Sequence, residues 1–295
     1  MRAIPATRDE NLRGAALMMA AMVAFILNDT LLKTLSGEVP VLQAVFVRGL
    51  FAVVLIGGLA AYRGETRLRA LPPRDRWRGI LRALAEVGAT ICFLTALFAM
   101  PIANVTAIML ASPMVLTMIG ATLLGESVGW RRWSAIFAGF AGVLLIVKPG
   151  TEAFNYASLW AVGAIFFVCI RDLATRRLSP STPSVLISLI TAVAITILGG
   201  LAVLIEGWAP MQAAHVGRLA LAALFVFAGY TLSVMTMRVG DMGFVTPFRY
   251  TMLIWALLLG WAVFGDTPGP LTLAGAGLVV CAGVYSFLRA GRAVG

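Results

Sequence analysis

Charged side chains occur inside long apolar stretches of the sequence, where an uncompensated charge is costly. The residues concerned are Asp29, Arg48, Arg82, Glu86, Arg171, Asp172 and Arg249. A charged side chain near the centre of a lipid bilayer costs about 2.5–3.5 kcal/mol on insertion scales. Such groups therefore pair with one another, face a water-filled cavity or reach a lipid headgroup. Carboxylates and guanidiniums at this depth are suited to exchanging ion-pair partners, either with each other or with a charged solute.

The apolar stretches themselves predict an all-α integral membrane protein. The chain has 295 residues, of which 60% are hydrophobic and 12% charged, and its mean hydropathy is +0.94. A run of about 20 apolar residues is long enough to cross about 30 Å of hydrocarbon. A tight hairpin is expected at residues 101–104, because the apolar sequence is otherwise nearly continuous over residues 80–124. Ten spans are predicted, at residues 14–35, 41–62, 79–100, 102–124, 132–147, 156–178, 184–205, 217–238, 242–264 and 270–288.

Basic residues concentrate in alternate connections between these spans, which predicts the orientation of the chain. The connection between spans 2 and 3 holds Arg63, Arg67, Arg69, Arg74, Arg76 and Arg78. The opposite side of the membrane receives only Lys33, Lys148 and Arg218. Cytoplasmic connections carry the excess of Lys and Arg, so both termini are expected in the cytoplasm. The first apolar run is longer than the roughly 7–15 residues of a signal-peptide core, and we interpret it as a retained span.

With this orientation, the charged residues fall into two polar layers. Asn28, Asp29 and Arg48 lie in the outer half of the membrane, and Arg82, Glu86, Arg171, Asp172 and Arg249 lie nearer the cytoplasm. We expect each layer to act as a gate that ion pairs close while the other layer is open. Tyr250, beside Arg249, is expected to face the same pathway. Candidates for a weakly polar and aromatic cavity wall between the layers are Thr90, Thr106, Ser112, Met114, Trp160, Phe167, Tyr230 and Ser233.

Purely structural roles are the alternative for several of these side chains. Arg82 lies about one turn from the interface and could snorkel to the headgroups. Glu86 follows Arg82 by four residues, so the two could simply pair on one helix face. Arg171 and Asp172 could both be interfacial. Most Trp and Phe residues are expected to face lipid or to pack against other helices.

Two parts of the sequence repeat the same pattern. Asp29 in span 1 corresponds to Asp172 in span 6, and Ser36 corresponds to Ser179 at the same offset. A glycine and an acid also end the fourth span of each half, as Gly125 and Glu126 and as Gly265 and Asp266. We interpret each of these glycines as a helix stop followed by a solvated acid. Span 1 runs outward and span 6 inward, so residues 1–150 and 151–295 are predicted to form an inverted repeat of five spans each.

These features resemble the drug/metabolite transporter superfamily and, within it, the EamA-type exporters, most nearly those of bacteria that export aromatic amino acids. The resemblance rests on two five-span halves and on the glycine–acid pair before each glycine-rich final span, and it covers essentially the whole chain. Asp266 departs from the pattern, since Glu is more usual there. The resemblance implies a basket-shaped helical bundle around a central cavity, with spans 5 and 10 peripheral, in the bacterial inner (plasma) membrane.

The expected function is a secondary transporter that exports aromatic or neutral amino acids, or similar small amphipathic metabolites, by alternating access. A zwitterion could place its carboxylate on an Arg, its ammonium on Glu86 or Asp29, and its side chain on the aromatic wall. The alternative is a carrier of another class of metabolite, namely a nucleotide precursor, a sugar phosphate or a cationic drug. Proton coupling and facilitated transport both stay open, and the direction of flux comes from the resemblance alone.

Other classes of protein find little support in the sequence. His215 is the single histidine, and Cys92, Cys169 and Cys281 form no CxxC pair, so no enzyme, metal site or cofactor is expected. The net charge of +10 is dispersed over the connections, which argues against nucleic-acid binding. The expected partners are a small-molecule substrate and membrane lipid. Small residues in spans 5 and 10, namely Ala138, Gly142, Gly277 and Cys281, allow close helix packing; they predict either a homodimer through these spans or a monomer.

Overall fold

The computed structural model describes residues 7–65, 71–123, 125, 129–148, 155–179, 182–239 and 242–292. Within these ranges every regular element is a helix. Spans 1 to 5 are formed by Arg8–Lys33, Val41–Tyr62, Pro73–Ala99, the pair Ile102–Met109 and Ser112–Leu123, and Trp130–Val147. Spans 6 to 8 are Ala157–Arg176, Ser184–Glu206 and Ala213–Val239. Span 9 comprises Met242–Val245, the 3-10 helix Thr246–Tyr250 and Thr251–Phe264, and span 10 is Pro270–Arg292.

The ten predicted spans are all present in the described part of the chain. Eight helices are long and apolar enough to cross a membrane, and spans 5 and 10 add shorter apolar helices. The hairpin between spans 3 and 4 is also confirmed, and it is tighter than predicted. Span 3 ends at Ala99 and span 4 begins at Ile102, because Pro101 has no N–H with which to continue a helix.

Spans 4 and 9 are each interrupted beside a proline, a feature that we did not predict from the sequence. The first helix of span 4 ends at Met109, and the second begins at Ser112, directly before Pro113. In span 9 the 3-10 helix Thr246–Tyr250 contains Pro247. A proline removes one hydrogen bond of the helical ladder and its ring collides with the preceding turn. The two breaks occupy the fourth span of each half.

The chain folds as two compact units, and each unit draws spans from both halves of the sequence. The first comprises Met1–Thr30, Met100–Ser158 and Ala228–Gly295, and the second comprises Leu31–Ala99 and Leu159–Phe227. We call them unit 1 and unit 2. The boundary proposed between residues 150 and 151 describes the sequence repeat, and the compact units cut across it.

In unit 2 the corresponding spans 2 and 7 pack against each other in opposite directions. Gly57 of span 2 lies against Leu189 of span 7, whereas Phe46 of span 2 lies against Gly199 of span 7. The residue numbers therefore increase in opposite directions along the two spans. A Cβ atom on Gly199 would stand 2.8 Å from the backbone nitrogen of Phe46, and a Cβ on Gly49 would collide with the Thr196 hydroxyl. Glycine therefore permits the two backbones to approach closely, as in other membrane helix pairs. Antiparallel packing of corresponding spans is what an inverted repeat requires.

In unit 1 the corresponding spans 5 and 10 form a second antiparallel pair. A Cβ atom on Gly142 would lie 2.6 Å from the carbonyl oxygen of Gly275, and a Cβ on Gly275 would lie 2.6 Å from that of Gly142. Gly142, expected to support close packing, therefore does so within the chain. Gly277 has nothing within 4 Å of its Cβ position and Cys281 is exposed. A homodimer through these spans stays a prediction.

Candidate functional site

Three of the predicted gate residues come together in unit 2. Glu86 of span 3 is buried, with 8% of its surface exposed, and it faces Arg171 of span 6. Arg171 donates from Nη1 to both carboxylate oxygens of Glu86 at 3.3 Å. It also donates from Nε to Oδ1 of Asp172 at 2.8 Å. The result is a cluster of one guanidinium and two carboxylates, which we call the Glu86 cluster.

Arg82 does not pair with Glu86 along the helix, although their spacing allows it. It donates instead from Nε to the hydroxyl of Thr175 at 3.0 Å and from Nη1 to the hydroxyl of Thr191 at 2.6 Å. These bonds join span 3 to spans 6 and 7. Arg82 therefore has a bridging role beside the Glu86 cluster, and the carboxylate of Glu86 is left to a cation from another helix.

The contact between spans 3 and 6 continues beyond the charges as an antiparallel seam. Span 6 places Thr175, Arg171, Phe167 and Gly163 on one face, since they are four residues apart. Passing along span 3 in the opposite direction, these residues meet Arg82, Glu86, Gly88 and Cys92. A Cβ atom on Gly88 would lie 2.7 Å from the Phe167 ring, and one on Gly163 would lie 3.7 Å from Sγ of Cys92. We call this contact the span 3–6 seam.

Beyond the end of span 6, the start of span 3 makes polar contacts that we missed in the sequence. Asp75, in the first turn of span 3, is 1% exposed and accepts hydrogen bonds from Arg78 at 3.3 Å and from Thr182 at 3.0 Å. Arg78 also donates to the backbone oxygen of Arg177. Asp75 lies outside the predicted span, so its burial gave no signal in the hydropathy pattern.

A second polar contact missed in the sequence fastens loops at the other end of unit 2. The side chain of Gln43 in span 2 is 1% exposed, donates to the oxygen of Ala209 at 2.8 Å and accepts from its nitrogen at 2.9 Å. Nearby in the chain, Nε2 of His215 lies 3.0 Å from a carboxylate oxygen of Glu38. The only sequence feature that could have indicated this contact was Gln43, a single amide side chain inside an apolar span.

The residues of the predicted outer layer are divided between the units. In unit 1, Asn28 and Asp29 are 3% and 6% exposed, and Asn28 donates to Oδ1 of Asp29 at 2.9 Å. Arg48 belongs to unit 2 and is half-buried, next to the close contact at Gly49. Each unit therefore contains a buried acid within a predicted span, namely Asp29 in unit 1 and Glu86 in unit 2.

Several other candidates lie at the breaks in spans 4 and 9 of unit 1. Ser112 starts the second helix of span 4, and Met114, 2% exposed, packs against Gly139. Arg249 and Tyr250 end the 3-10 helix of span 9, where Arg249 is exposed and Tyr250 is 4% exposed. The hydroxyl of Tyr250 is packed onto Gly283 and is buried without a hydrogen-bond partner among the described residues.

The remaining candidates for the cavity wall differ in their exposure. Thr106 is buried, whereas Thr90, Phe167 and Ser233 are half-buried. Trp160 and Tyr230 are exposed, and Tyr230 makes an edge-to-face contact with Phe25, with ring centroids 5.2 Å apart. Their role as a substrate wall stays a prediction.

The glycine of the second half's glycine–acid pair acts as a helix stop, as predicted. The acid is not the solvated group that we expected, because Oδ2 of Asp266 is buried without a hydrogen-bond partner among the described residues. Gly265 adopts a left-handed conformation with φ of 68°. Its N–H bonds to the oxygen of Trp261, and that of Asp266 bonds to the oxygen of Gly260. In the first half, Gly125 has φ of 70°, while Glu126 lies outside the described residues.

These features define a class of protein and then a family. Apolar spans in two oppositely oriented sets, broken helices in the fourth span of each set and buried ion pairs are the architecture of a secondary membrane transporter. The model of the EamA-like transporter family matches residues 12–148 and again residues 155–288. The chain therefore belongs to the EamA-like transporter family, and it is a transporter rather than an enzyme.

Individual relatives agree with this assignment over nearly their whole length. A riboflavin transporter of Vibrio cholerae is 29% identical, over 91% of each chain. An S-adenosylmethionine uptake transporter of Rickettsia prowazekii is 22% identical over 93% of this chain and 92% of its own. A pseudopaline exporter of Pseudomonas aeruginosa is 26% identical over 91% of this chain and 94% of its own. A crystal structure with 18% identity covers 95% of this chain and 99% of its own with a TM-score of 0.66, which shows the same fold.

Proposed function

We propose that this chain carries amino acids, or small conjugates of amino acids, across the bacterial inner membrane by alternating access. The observation that carries the proposal is the Glu86 cluster, in which a buried carboxylate is held across two helices by one guanidinium. The ammonium of a zwitterionic solute can pair with the carboxylate of Glu86, and its carboxylate can pair with the guanidinium of Arg171. It can therefore replace the ion pair between the spans without leaving either protein charge uncompensated.

The proposed gate nearer the cytoplasm is the Glu86 cluster of unit 2, with Arg82 bridging beside it. Arg249 and Tyr250 of span 9 stay sequence-based candidates for this layer. For the outer layer, Asn28 and Asp29 are a bonded pair in unit 1, and Arg48 of unit 2 stays a sequence-based candidate. Phe167 in the span 3–6 seam and Thr90 of span 3 are proposed to receive the apolar part of the substrate. Alternating access then consists of opening one polar layer while the other stays paired.

The relatives support a substrate of this kind while leaving the direction of flux to experiment. The Rickettsia relative is named for S-adenosylmethionine, which is itself an amino-acid derivative. One relative is named for uptake and another for export. We propose export, following the resemblance described above, and we propose that both termini lie in the cytoplasm, as the distribution of basic residues predicts.

Counterflow uptake into proteoliposomes tests the proposal. The panel contains labelled aromatic and neutral amino acids, S-adenosylmethionine, riboflavin and a sugar phosphate, and it is run on the wild type and on Glu86→Gln and Arg171→Gln. We expect the wild type to exchange at least one amino acid or conjugate, and each variant to lose about tenfold or more of that exchange, as removal of a charge-assisted bond predicts. Glu206→Gln is the matched control, because Glu206 is exposed at the end of span 7.

Riboflavin, a flat heterocycle, is the second candidate. It is favoured by the Vibrio relative and by the exposed Tyr230 ring, which lies edge-on to Phe25. Exchange of riboflavin with no exchange of any zwitterion would support this candidate and contradict the first. Exchange of the sugar phosphate alone would contradict both.

A further inference from the structure

Arg171 is bonded unequally to its two carboxylate partners. The bond from Nε to Asp172 is 2.8 Å long, within the usual range for charge-assisted hydrogen bonds. The contacts from Nη1 to Glu86 are both 3.3 Å and are shared between the two oxygens. The side chain of Glu86 is 11% exposed, whereas that of Asp172 is 36% exposed. The shorter bond is therefore to the more exposed acid.

The two acids also differ in how they are connected to Arg171. Asp172 is its neighbour on span 6 and moves with it, whereas Glu86 is on span 3. Any separation of the span 3–6 seam breaks the contact with Glu86 and leaves the contact with Asp172 in place. A guanidinium without a counter-charge at this depth is costly. Asp172 removes most of that cost, so the seam can separate without leaving Arg171 uncompensated.

We propose that Asp172 is a positioning residue that neutralises Arg171 while Glu86 releases it to receive the cationic group of the substrate. The proposal rests on the proposed function, since it assigns the two acids of the same cluster to different steps. Glu86 is the exchangeable partner, and Asp172 is the permanent one.

The two acids are consequently expected to have opposite effects on opening of the seam. Glu86→Gln weakens the tie between spans 3 and 6 and leaves Arg171 paired with Asp172, so the seam opens more often. Asp172→Asn leaves Glu86 as the carboxylate of the cluster that balances Arg171, so separation becomes more costly and the seam opens less often.

Cys92 is a native reporter of this motion. It is buried, with 8% of its surface exposed, and its sulfur lies against Gly163 in the span 3–6 seam. In a Cys169→Ser, Cys281→Ser background, the rate of Cys92 alkylation by N-ethylmaleimide is measured on the full chain in liposomes without substrate. We expect about a fivefold faster rate for Glu86→Gln and about a fivefold slower rate for Asp172→Asn, the shift expected from one charge-assisted bond at a partly exposed site. Glu206→Gln should match the wild type.

A second comparison guards against a folding defect. In an Arg171→Gln background, Asp172→Asn should leave the alkylation rate unchanged, because the charge that Asp172 balances is gone. Asp172→Glu should restore a rate near that of the wild type. Rates that change in the same direction for both acids, or an effect of Asp172→Asn that persists without Arg171, would overturn the proposal. The alkylation assay contains no substrate, so its result does not depend on the result of the amino-acid panel. Failure of the proposed roles of Glu86 and Asp172 can therefore be distinguished from failure of the proposed function.

Discussion

At the residue scale, close packing in the span 3–6 seam depends on glycine at position 88, which has no side chain. The ring of Phe167 occupies the space in front of Gly88, where a Cβ atom would stand 2.7 Å away. Gly163, farther along the same seam, has ordinary room, because its Cβ atom would be 3.7 Å from the Cys92 sulfur. Two glycines on one contact therefore differ in what they tolerate.

Gly88→Ala is expected to destabilise the protein, since the ring must move or the helices must separate. Overpacking of this kind costs about 1–3 kcal/mol. Thermal unfolding in detergent should give a lower Tm for Gly88→Ala than for the wild type, and Gly163→Ala should stay close to the wild type. An unchanged Tm for Gly88→Ala would mean that Phe167 has another rotamer available at no cost.

The pairing of charges shows what single-residue patterns predict and what they miss. The sequence placed Glu86, Arg171 and Asp172 in one polar layer, and the structure brings these three into one cluster. Spacing along the chain equally allowed a bond between Arg82 and Glu86. Which cation reaches Glu86 depends on the packing of span 6 against span 3, and one helix alone carries no information about that contact.

At the element scale, the agreement of helix ends varied, since spans 1 and 3 begin at Arg8 and Pro73, each six residues before the predicted start. Span 2 occupies residues 41–62 as predicted, because an apolar run bounded by Pro40 and a basic connection has few alternative limits. The breaks in spans 4 and 9 were missed, since hydropathy does not change where a helix turns into a 3-10 segment. Pro113 and Pro247 were the signal, although Pro113 lies 13 residues before Glu126 and Pro247 lies 19 residues before Asp266, so the repeat did not align them.

Spans 5 and 10 provide a test of helix packing. Gly142→Leu would place a side chain against the backbone of Gly275, where even a Cβ atom would be 2.6 Å from the carbonyl oxygen. We expect a lower Tm and a smaller yield of folded protein from the membrane, in line with an overpacking cost of about 1–3 kcal/mol or more. The matched control is Gly277→Leu in span 10, whose Cβ position is open.

Equal stability of the two variants would contradict the role assigned to Gly142. A loss confined to Gly277→Leu, accompanied by a change in oligomeric state, would instead favour a homodimer through the outward side of span 10. Analytical size-exclusion chromatography with light scattering separates these outcomes.

At the scale of the whole molecule, the distribution of arginines predicts one orientation in the membrane. Arg63 follows span 2 and Glu206 ends span 7, and both are exposed. In a cysteine-free background, a membrane-impermeant maleimide added to intact cells should label Glu206→Cys and leave Arg63→Cys unlabelled. Disruption of the cells should make both accessible. Labelling of Arg63→Cys from outside would reverse the orientation and, with it, the order of the proposed gates.

The number of spans could be predicted because each span must be apolar over about 20 residues regardless of its neighbours. The family could be predicted from the two five-span halves and their glycine–acid pairs. The two compact units could not be predicted from the sequence, because their composition depends on which spans pack against each other. Spans 2 and 7 share unit 2, and spans 5 and 10 share unit 1, although these partners are far apart in the chain. The repeat in the sequence identifies corresponding spans without indicating that they pack on each other.

This pairing across the halves has a consequence for biosynthesis. Spans 2 and 5 enter the membrane before the ribosome has made spans 7 and 10. The close-packing surfaces at Gly49 and Gly142 are therefore expected to contact lipid before their partner helices exist. A product that stops after the fifth span possesses neither finished helix pair. Quality-control proteases should therefore degrade such a truncated chain, whereas the two fragments produced together in one cell should reassemble.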